Sequence, residues 1–380
     1  MSLIAVGLSA LLWVAVLALP WRPWSTRERL DIGADAPSRD LSDITVLMPA
    51  RNEVACIAET LRRLDAQGLF NRIVVIDDQS DDGTKEAATE LNLTNLLIID
   101  GAPPPAGWSG KLWALHQGLQ HAESKYVLLL DADIGLASGT ISALLEHLEA
   151  HKLDMASLMA NLHMRQFWEK LLLPPFVYFF KMIYPFALAN SPNSRIAAGA
   201  GGCVLIATTK LQQIGGFSAL KGAIIDDCTL ARKIKDLPSR IWIGLSNDAC
   251  ALRPYTNLPN IWNMVARTAF TQLRYSPVLL VACTGLLIVS YVVPLIGIFS
   301  SIGAIQSLSA IALAAMFATY WPIVKFYNLS FFWTFTLPLA AILFLAMTWT
   351  SALRYWRGER SRWKNRSYLR ADDDGLDIEK

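Results

Sequence analysis

The 380-residue chain is 53% hydrophobic and 17% charged, a balance that excludes both an ordinary water-soluble domain and a pure bundle of membrane helices. A water-exposed domain attached to membrane-crossing helices is the expected class. The formal net charge of +2 is unevenly spread: basic residues crowd beside apolar runs, in "WRPWSTRER" and "RYWRGERSRWKNRSYLR", which suits anionic lipid head groups and not a nucleic-acid groove.

The first predicted element is "LIAVGLSALLWVAVLAL", residues 3–19, an uncharged run of about the minimum length for crossing a bilayer. Basic residues follow it, as Arg22, Arg27 and Arg29, and do not precede it, so residues 1–21 read as an anchor and not as a cleaved signal peptide. By the positive-inside rule the N-terminus lies outside and the next domain is cytoplasmic.

Residues 40–270 suffice for one core. "DITVLMPA", "RIVVIDD", "NLLIID" and "YVLLLDAD" are strand candidates. Between them come the helical patterns "VACIAETLRRLDAQ", "GTKEAATELN" and "KLWALHQGLQHA". Short apolar strands alternating with helices predict βαβ units and an open, mostly parallel α/β sheet. Within this domain "LLLPPFVYFFKMIYPFALAN", 171–190, is apolar and aromatic but broken by Pro174, Pro175, Lys181 and Pro185, and reads as a segment lying on the membrane surface.

Residues 277–352 hold three more apolar runs, at 278–300, 303–321 and 331–349, for four spans in all. Three spans after a cytoplasmic domain leave the tail, 353–380, outside, although its Arg and Lys content favours the inside; one run is re-entrant or the tail breaks the rule. Trp363, Lys364 and Arg366 in that tail read as ordinary surface residues, with contact to lipid phosphate as the alternative. The five cysteines are scattered without C-x-x-C spacing and read as reduced, mostly buried thiols. The five histidines lie on polar helical stretches and read as surface residues.

In an open parallel sheet, ligands bind outside the carboxyl ends of the strands, and the distinctive acids fall there. "MPARNE" places Asn52 and Glu53 after the first strand, "IDDQSDDGT" places Asp77 and Asp78 after the second, and "DAD" places Asp131 and Asp133 after the fourth. One such cluster is explained by a turn; three at one edge are not. Alternation along an extended strand would point Asp131 and Asp133 the same way, toward a hard oxygen site for Mg2+ or Mn2+ completed by water and a diphosphate. Further on, "GAIIDDCTLARKI" sets Asp226 beside Asp227 ahead of an amphipathic helix. Either acid can be read as the helix N-cap, or the pair as one structural acid beside one reactive acid.

"MPARNE", "VIDDQSDDGT", "LLLDADI", "GAGGCVLI" with "IGGF", and the Asp226-Asp227 pair occur in the order and approximate spacing of family 2 glycosyltransferases with the GT-A fold. The resemblance covers residues 43–245; with its flanking spans the chain looks like the membrane-anchored branch that includes ceramide glucosyltransferases, and is most similar to bacterial hopanoid-biosynthesis-associated glycosyltransferases. The resemblance implies an inverting transfer from a nucleotide-diphosphate sugar, usually a UDP-sugar, to a lipid hydroxyl at the inner (cell) membrane of a bacterium.

Carried over residue by residue, the resemblance puts Pro49, Asn52, Glu53 and Asp78 by the nucleotide, and Lys111 near it or simply in solvent. It makes Asp131 and Asp133 the D-x-D pair on ribose and metal-bound diphosphate. Gly201 and Gly202 would allow close approach to the sugar, or simply make a tight turn. Asp227 would be the general base, with Asp226 where most relatives have Glu. "TQLRY" departs from Q-x-x-R-W, with Thr271 in the Gln position; it keeps a diphosphate contact for Arg274 and gives no support to a processive polymerase. A sugar nucleotidyltransferase and a degenerate transferase-like membrane subunit or lipid transporter are the rival classes. The absence of a glycine-rich phosphate loop in "PARNEVACI" counts against the first, and the intact acid pairs against the second. Which sugar, which lipid and what oligomeric state are open at this level.

Overall fold

The computed structural model describes residues 2–32, 39–363 and 366–369, of which 359–363 and 366–369 are described as backbone alone. Lys364 and residues 370–380 of the basic tail lie outside the described residues, as do the side chains of Trp363 and Arg366. Two compact units form: a helical unit of 1–27, 164–187 and 255–380, and a sheet unit of 28–163 and 188–254.

In chain order the elements begin with α1 (Leu3–Ala18), β1 (Leu41–Ala50), α2 (Ile57–Asp65), β2 (Phe70–Asp77), α3 (Thr84–Thr89) and β3 (Leu96–Asp100). There follow α4 (Gly110–Gly118), β4 (Tyr126–Leu130), β5 (Ile134–Leu136), α5 (Thr140–Ala150), β6 (Met155–Asn161), α6 (Phe167–Ile183) and α7 (Phe186–Ala189). The chain continues through β7 (Cys203–Ala207), α8 (Thr208–Gln213), α9 (Asp226–Lys235), β8 (Ile241–Ala251), α10 (Leu258–Ala266) and α11 (Ala269–Gln272). Last come α12 (Pro277–Leu287), α13 (Val293–Gly297), α14 (Gly303–Phe326), α15 (Leu337–Trp356) and the hairpin strands β9 (Glu359–Trp363) and β10 (Arg366–Leu369).

The sheet unit carries one eight-stranded sheet in the order β3-β2-β1-β4-β7-β6-β8-β5. β1 pairs in parallel with β2 and β4, β2 with β3, and β6 with β8, whereas β7 runs antiparallel to β4 and β6, and β5 to β8. The strands read as continuous apolar runs because both faces are covered. Val46, Val75 and Leu128 join one core with Leu61 of α2 and Leu144 of α5, while their neighbours Leu47, Val74 and Val127 join a second core with Leu115 of α4 and Ile234 of α9. Chain reversals after β1, β2 and β4 therefore gather at the carboxyl edge of the central strands.

In the helical unit, Pro277–Gly297, Gly303–Phe326 and Phe331–Trp356 are long and apolar enough to cross a membrane; α1 is a shorter apolar helix of 16 residues. A π-turn at Ile288–Val292 joins α12 to α13 just before Pro294, and the Ser290 carbonyl within it accepts from Trp13 Nε1 at 2.8 Å. Residues 171–190 fall on α6 and α7. α6 is continuous through Pro174 and Pro175 because neighbouring helices hold it: Tyr178 and Thr319 of α14 share a hydrogen bond of 2.9 Å, and the Phe179 ring packs on Phe344 of α15. Lys181 is buried with its ammonium 3.6 Å from the Phe186 ring centroid.

The expectation that the histidines are surface residues changes at two of them. His147 is not a surface residue: it packs between Trp242 and His151, its Nε2 lacks a hydrogen-bond partner, and burial, with His151 beside it, lowers its pKa to about 4. His116 likewise sits against Trp108 and Trp113. The cysteines are thiols, with Cys56, Cys203 and Cys228 buried and Cys250 and Cys283 partly buried.

Glu169 of α6 is 0% exposed. Its Oε2 accepts from the Arg165 and Gln166 N–H groups at 2.9 and 2.8 Å, and its Oε1 from the Tyr255 N–H at 2.8 Å, which fastens the start of α6 to the stretch before α10. Glu169→Ala strands three backbone donors and is expected to lower stability by about 1–3 kcal/mol, read as a fall in Tm of the detergent-solubilised protein. A Tm equal to wild type would contradict this role.

Candidate active site

The β1 and β2 edge loops are laced together. The Asn52 N–H donates to Ser80 Oγ at 3.0 Å, Asn52 Oδ1 accepts from the Asp81 N–H at 3.1 Å, and the Glu53 N–H donates to Thr84 Oγ1 at 2.8 Å. Asn52 takes a left-handed φ of 51°, which asparagine tolerates better than most residues. The Asp78 N–H donates to the Ala50 carbonyl at 2.7 Å, and its side chain is buried.

After β4 the chain turns instead of extending. The Asp131 N–H donates to the Gly202 carbonyl at 3.0 Å and its carbonyl accepts from the Ile134 N–H at 3.1 Å. The expected strand alternation does not govern Asp131 and Asp133, because this turn carries the chain from β4 toward β5 at the far side of the sheet. The two carboxylates meet different cations. Asp131 Oδ1 lies 2.7 Å from Lys111 Nζ, while Asp133 Oδ2 lies 3.8 Å from Arg253 Nε. Arg253 also forms an ion pair with Glu53.

Lys111 enters from the first turn of α4, which Ser109 caps. Its ammonium also lies 3.8 Å from Asp226 Oδ2. Burial lowers its pKa, but Asp131 and Asp226, with Asp227 beyond them, outweigh burial and hold it above its ordinary value. It is a fixed cation and not a solvent lysine.

α9 begins at Asp226, with Ile225 at the N-cap position and no side-chain cap, so neither acid is the N-cap. Both occupy the first turn, where the helix dipole favours negative charge. They diverge: Asp226 faces Lys111, while Asp227 accepts from the Gly201 N–H at 3.0 Å and from the Cys228 N–H at 2.7 Å. Burial and the adjacent Asp226 raise the Asp227 pKa to about 6 against the pull of those N–H groups and Lys111. A Cβ on Gly201 would lie 3.3 Å from Lys111 Nζ and 3.5 Å from Asp227 Cβ, so glycine lets the backbone approach the acid this closely.

Pro49, Lys111, Asp131, Gly201, Asp226 and Asp227 line one cleft whose other walls are leucines, Val204 and Phe217. Asn52 serves the loop lacing, Gly202 receives the Asp131 N–H, and Arg274 belongs to the helical unit, at a left-handed φ of 52°. The sequence reading missed Arg253. Its position just beyond β8 was the available signal, but β8 itself was not among the strands recognised.

Residues 45–215 match the family described as glycosyl transferase family 2. These residues are similar to that family. A 4,4'-diaponeurosporenoate glycosyltransferase of Staphylococcus aureus (strain bovine RF122 / ET3-1) is 32% identical over 91 residues, 24% of this chain and 24% of that protein. The protein of the same name from Staphylococcus haemolyticus (strain JCSC1435) is 32% identical over 95 residues, again 24% of each. The match thus spans about a quarter of the length of these curated relatives. The mannosyltransferase PcManGT from Pyrobaculum calidifontis, solved with GDP-Man and Mn2+, superposes with a TM-score of 0.54 at 18% identity, covering 94% of this chain and all of that one. The sheet unit has the GT-A fold.

Among the described residues no group of three or more His, Cys, Asp or Glu side chains could hold a metal ion. Asp131 and Asp133 provide two hard carboxylates instead, a donor set that fits Mg2+ or Mn2+ keeping water and phosphate oxygens as its other ligands.

A Cβ on Gly199 would meet the Asp227 carbonyl oxygen at 2.8 Å, a backbone atom that cannot rotate away. Gly199→Ala is expected to push the first turn of α9 out of place and to lower stability by about 1–3 kcal/mol, read as a fall in Tm of the detergent-solubilised protein. A Tm unchanged from wild type would show that the backbone accommodates the shift.

Proposed function

We propose that the chain is a membrane-bound inverting glycosyltransferase that moves a sugar from a nucleoside-diphosphate sugar, a UDP-sugar in the first instance, to a lipid hydroxyl. The observation that carries this reading is the Asp227 carboxyl, held by two backbone N–H groups with its pKa raised to about 6, in the cleft that Lys111 and Asp131 line. A base poised near the working pH is what proton removal from an acceptor hydroxyl requires.

Asp227 takes that proton and Asp226, held by Lys111, keeps the first turn of α9 and the ammonium in register. Attack from the base's side, opposite the leaving diphosphate, inverts the anomeric centre without a covalent intermediate. Mg2+ or Mn2+ held by Asp131 and Asp133 would neutralise the departing diphosphate. Electrostatics favour such a cation. Glu53, Asp131, Asp133, Asp226 and Asp227 outnumber Lys111 and Arg253, so the edge is net acidic and a diphosphate needs added positive charge to enter. Pro49, Asn52, Glu53, Asp78, Gly201, Gly202 and Arg274 are proposed for the nucleotide sugar on the family resemblance.

The acceptor is proposed as a lipid, a hopanoid or another polyprenoid or sphingolipid-like alcohol. The three apolar helices support a site beside a bilayer, and the staphylococcal relatives' names support an apolar acceptor. The corresponding location is the bacterial cell membrane, multi-pass, with the transferase domain on the cytoplasmic side. UDP release from a panel of UDP-sugars, with and without bacterial lipid extract, tests the whole reading; no lipid-dependent release with any donor would reject it.

Asp227→Asn is expected to lower transfer by about 10²–10⁴-fold while UDP binding survives. In the wild type, kcat/KM should fall as pH drops through about 6, because protonation removes the base; a rate flat from pH 5 to 8 would reject that role.

Asp133→Ala should abolish both metal dependence and transfer. Full activity of the wild type in excess EDTA would rule out the metal.

A further inference from the structure

Arg253 has no part in the roles proposed so far, yet it stands among the acids of the sheet edge. It follows β8 by two residues, and the preceding Leu252 N–H donates to the Asp133 carbonyl at 2.7 Å, which fixes its backbone against the D-x-D turn. Its side chain is 37% exposed. The guanidinium has a close ion pair with Glu53, whose side chain is 9% exposed and whose own N–H is held by Thr84. Its separation from Asp133, 3.8 Å, is beyond hydrogen-bonding range. One partner is therefore firm and buried, and the other is loose and solvent-facing.

Lys111 cannot share this part, because Asp131 and Asp226 pin its ammonium. Arg253 can change its looser partner without leaving Glu53. A guanidinium presents a planar fork that matches two phosphate oxygens, which a carboxylate at 3.8 Å does not engage.

We propose that Arg253 is a diphosphate-binding residue that holds Asp133 as a counterion until a divalent cation is bound, and then turns its fork to the donor's phosphates while Glu53 keeps its other side in place. This rests on the proposed metal site at Asp131 and Asp133. Arg253 thereby prevents Asp133 from standing uncompensated at a net acidic sheet edge, and supplies a second positive contact once the diphosphate arrives.

The proposal requires opposite effects on two ligands. With the full-length protein in detergent, calorimetry with Mn2+ alone and then with UDP at saturating Mn2+ reads both. Arg253→Ala should bind Mn2+ alone about two- to fivefold more tightly, because a competitor for Asp133 is gone. The same variant should bind UDP about tenfold or more weakly. Arg253→Lys keeps the charge and loses the fork, so Mn2+ affinity should stay near wild type while UDP binding still weakens. Mn2+ affinity unchanged or weakened in Arg253→Ala, or UDP affinity unchanged in Arg253→Lys, overturns the proposal. If Arg253→Ala does not fold, because Glu53 is left buried without its cation, the Arg253→Lys result decides. Failure of the wild type itself to bind Mn2+ would overturn the metal reading, and this inference with it, before any variant is measured.

Discussion

Glu53, Asp131, Asp133, Asp226 and Asp227 outnumber Lys111 and Arg253 along one stretch of the sheet's carboxyl edge, and this imbalance of charge constrains everything around it. Like charges so placed raise one another's pKa and oppose folding unless each finds a donor. The fold supplies those donors locally. Asp227 has the Gly201 and Cys228 N–H groups, Asp131 and Asp226 share Lys111, and Glu53 has Arg253. Burial and the adjacent Asp226 together hold the Asp227 proton near neutral pH. Division of labour within the Asp226-Asp227 pair follows from direction: one faces a cation, the other faces backbone amides and apolar walls.

Glycine is what brings those amides within reach. At Gly199 and Gly201 the backbone passes so near to Asp227 that a side chain would collide with its carbonyl oxygen or crowd its carboxylate and Lys111. Lys235, at the other end of α9, donates to the carbonyls of Ala189 and Ile196 at 2.5 and 2.6 Å, and so fastens the same loop to the same helix. The glycine run and the acid pair are held together at both ends of α9.

The helical unit is held by a different kind of contact. Indole and hydroxyl groups join its helices: Trp13 to Ser290, Trp349 to Thr284, Trp262 to Thr350, and Tyr178 to Thr319. Where apolar surface faces apolar surface, hydrogen bonds of this kind select one arrangement of helices over others.

Apolar periodicity by itself determined β1 to β4, the helices between them and the three long apolar helices, because these signals are local: a strand buried on both faces or a bilayer-length run is written in consecutive residues. It also determined that acids gather at one sheet edge, since parallel strands put every following loop on the same side. Only the tertiary structure decided which acid meets which cation. The turn after β4 sends Asp131 to Lys111 and Asp133 to Arg253, and Arg253 arrives from a strand some 120 residues further along the chain. The cap at α9, the burial of His147 and the continuity of α6 through two prolines were decided in the same way. Each depends on neighbours distant in sequence, and no local pattern of residue types encodes what those neighbours will be.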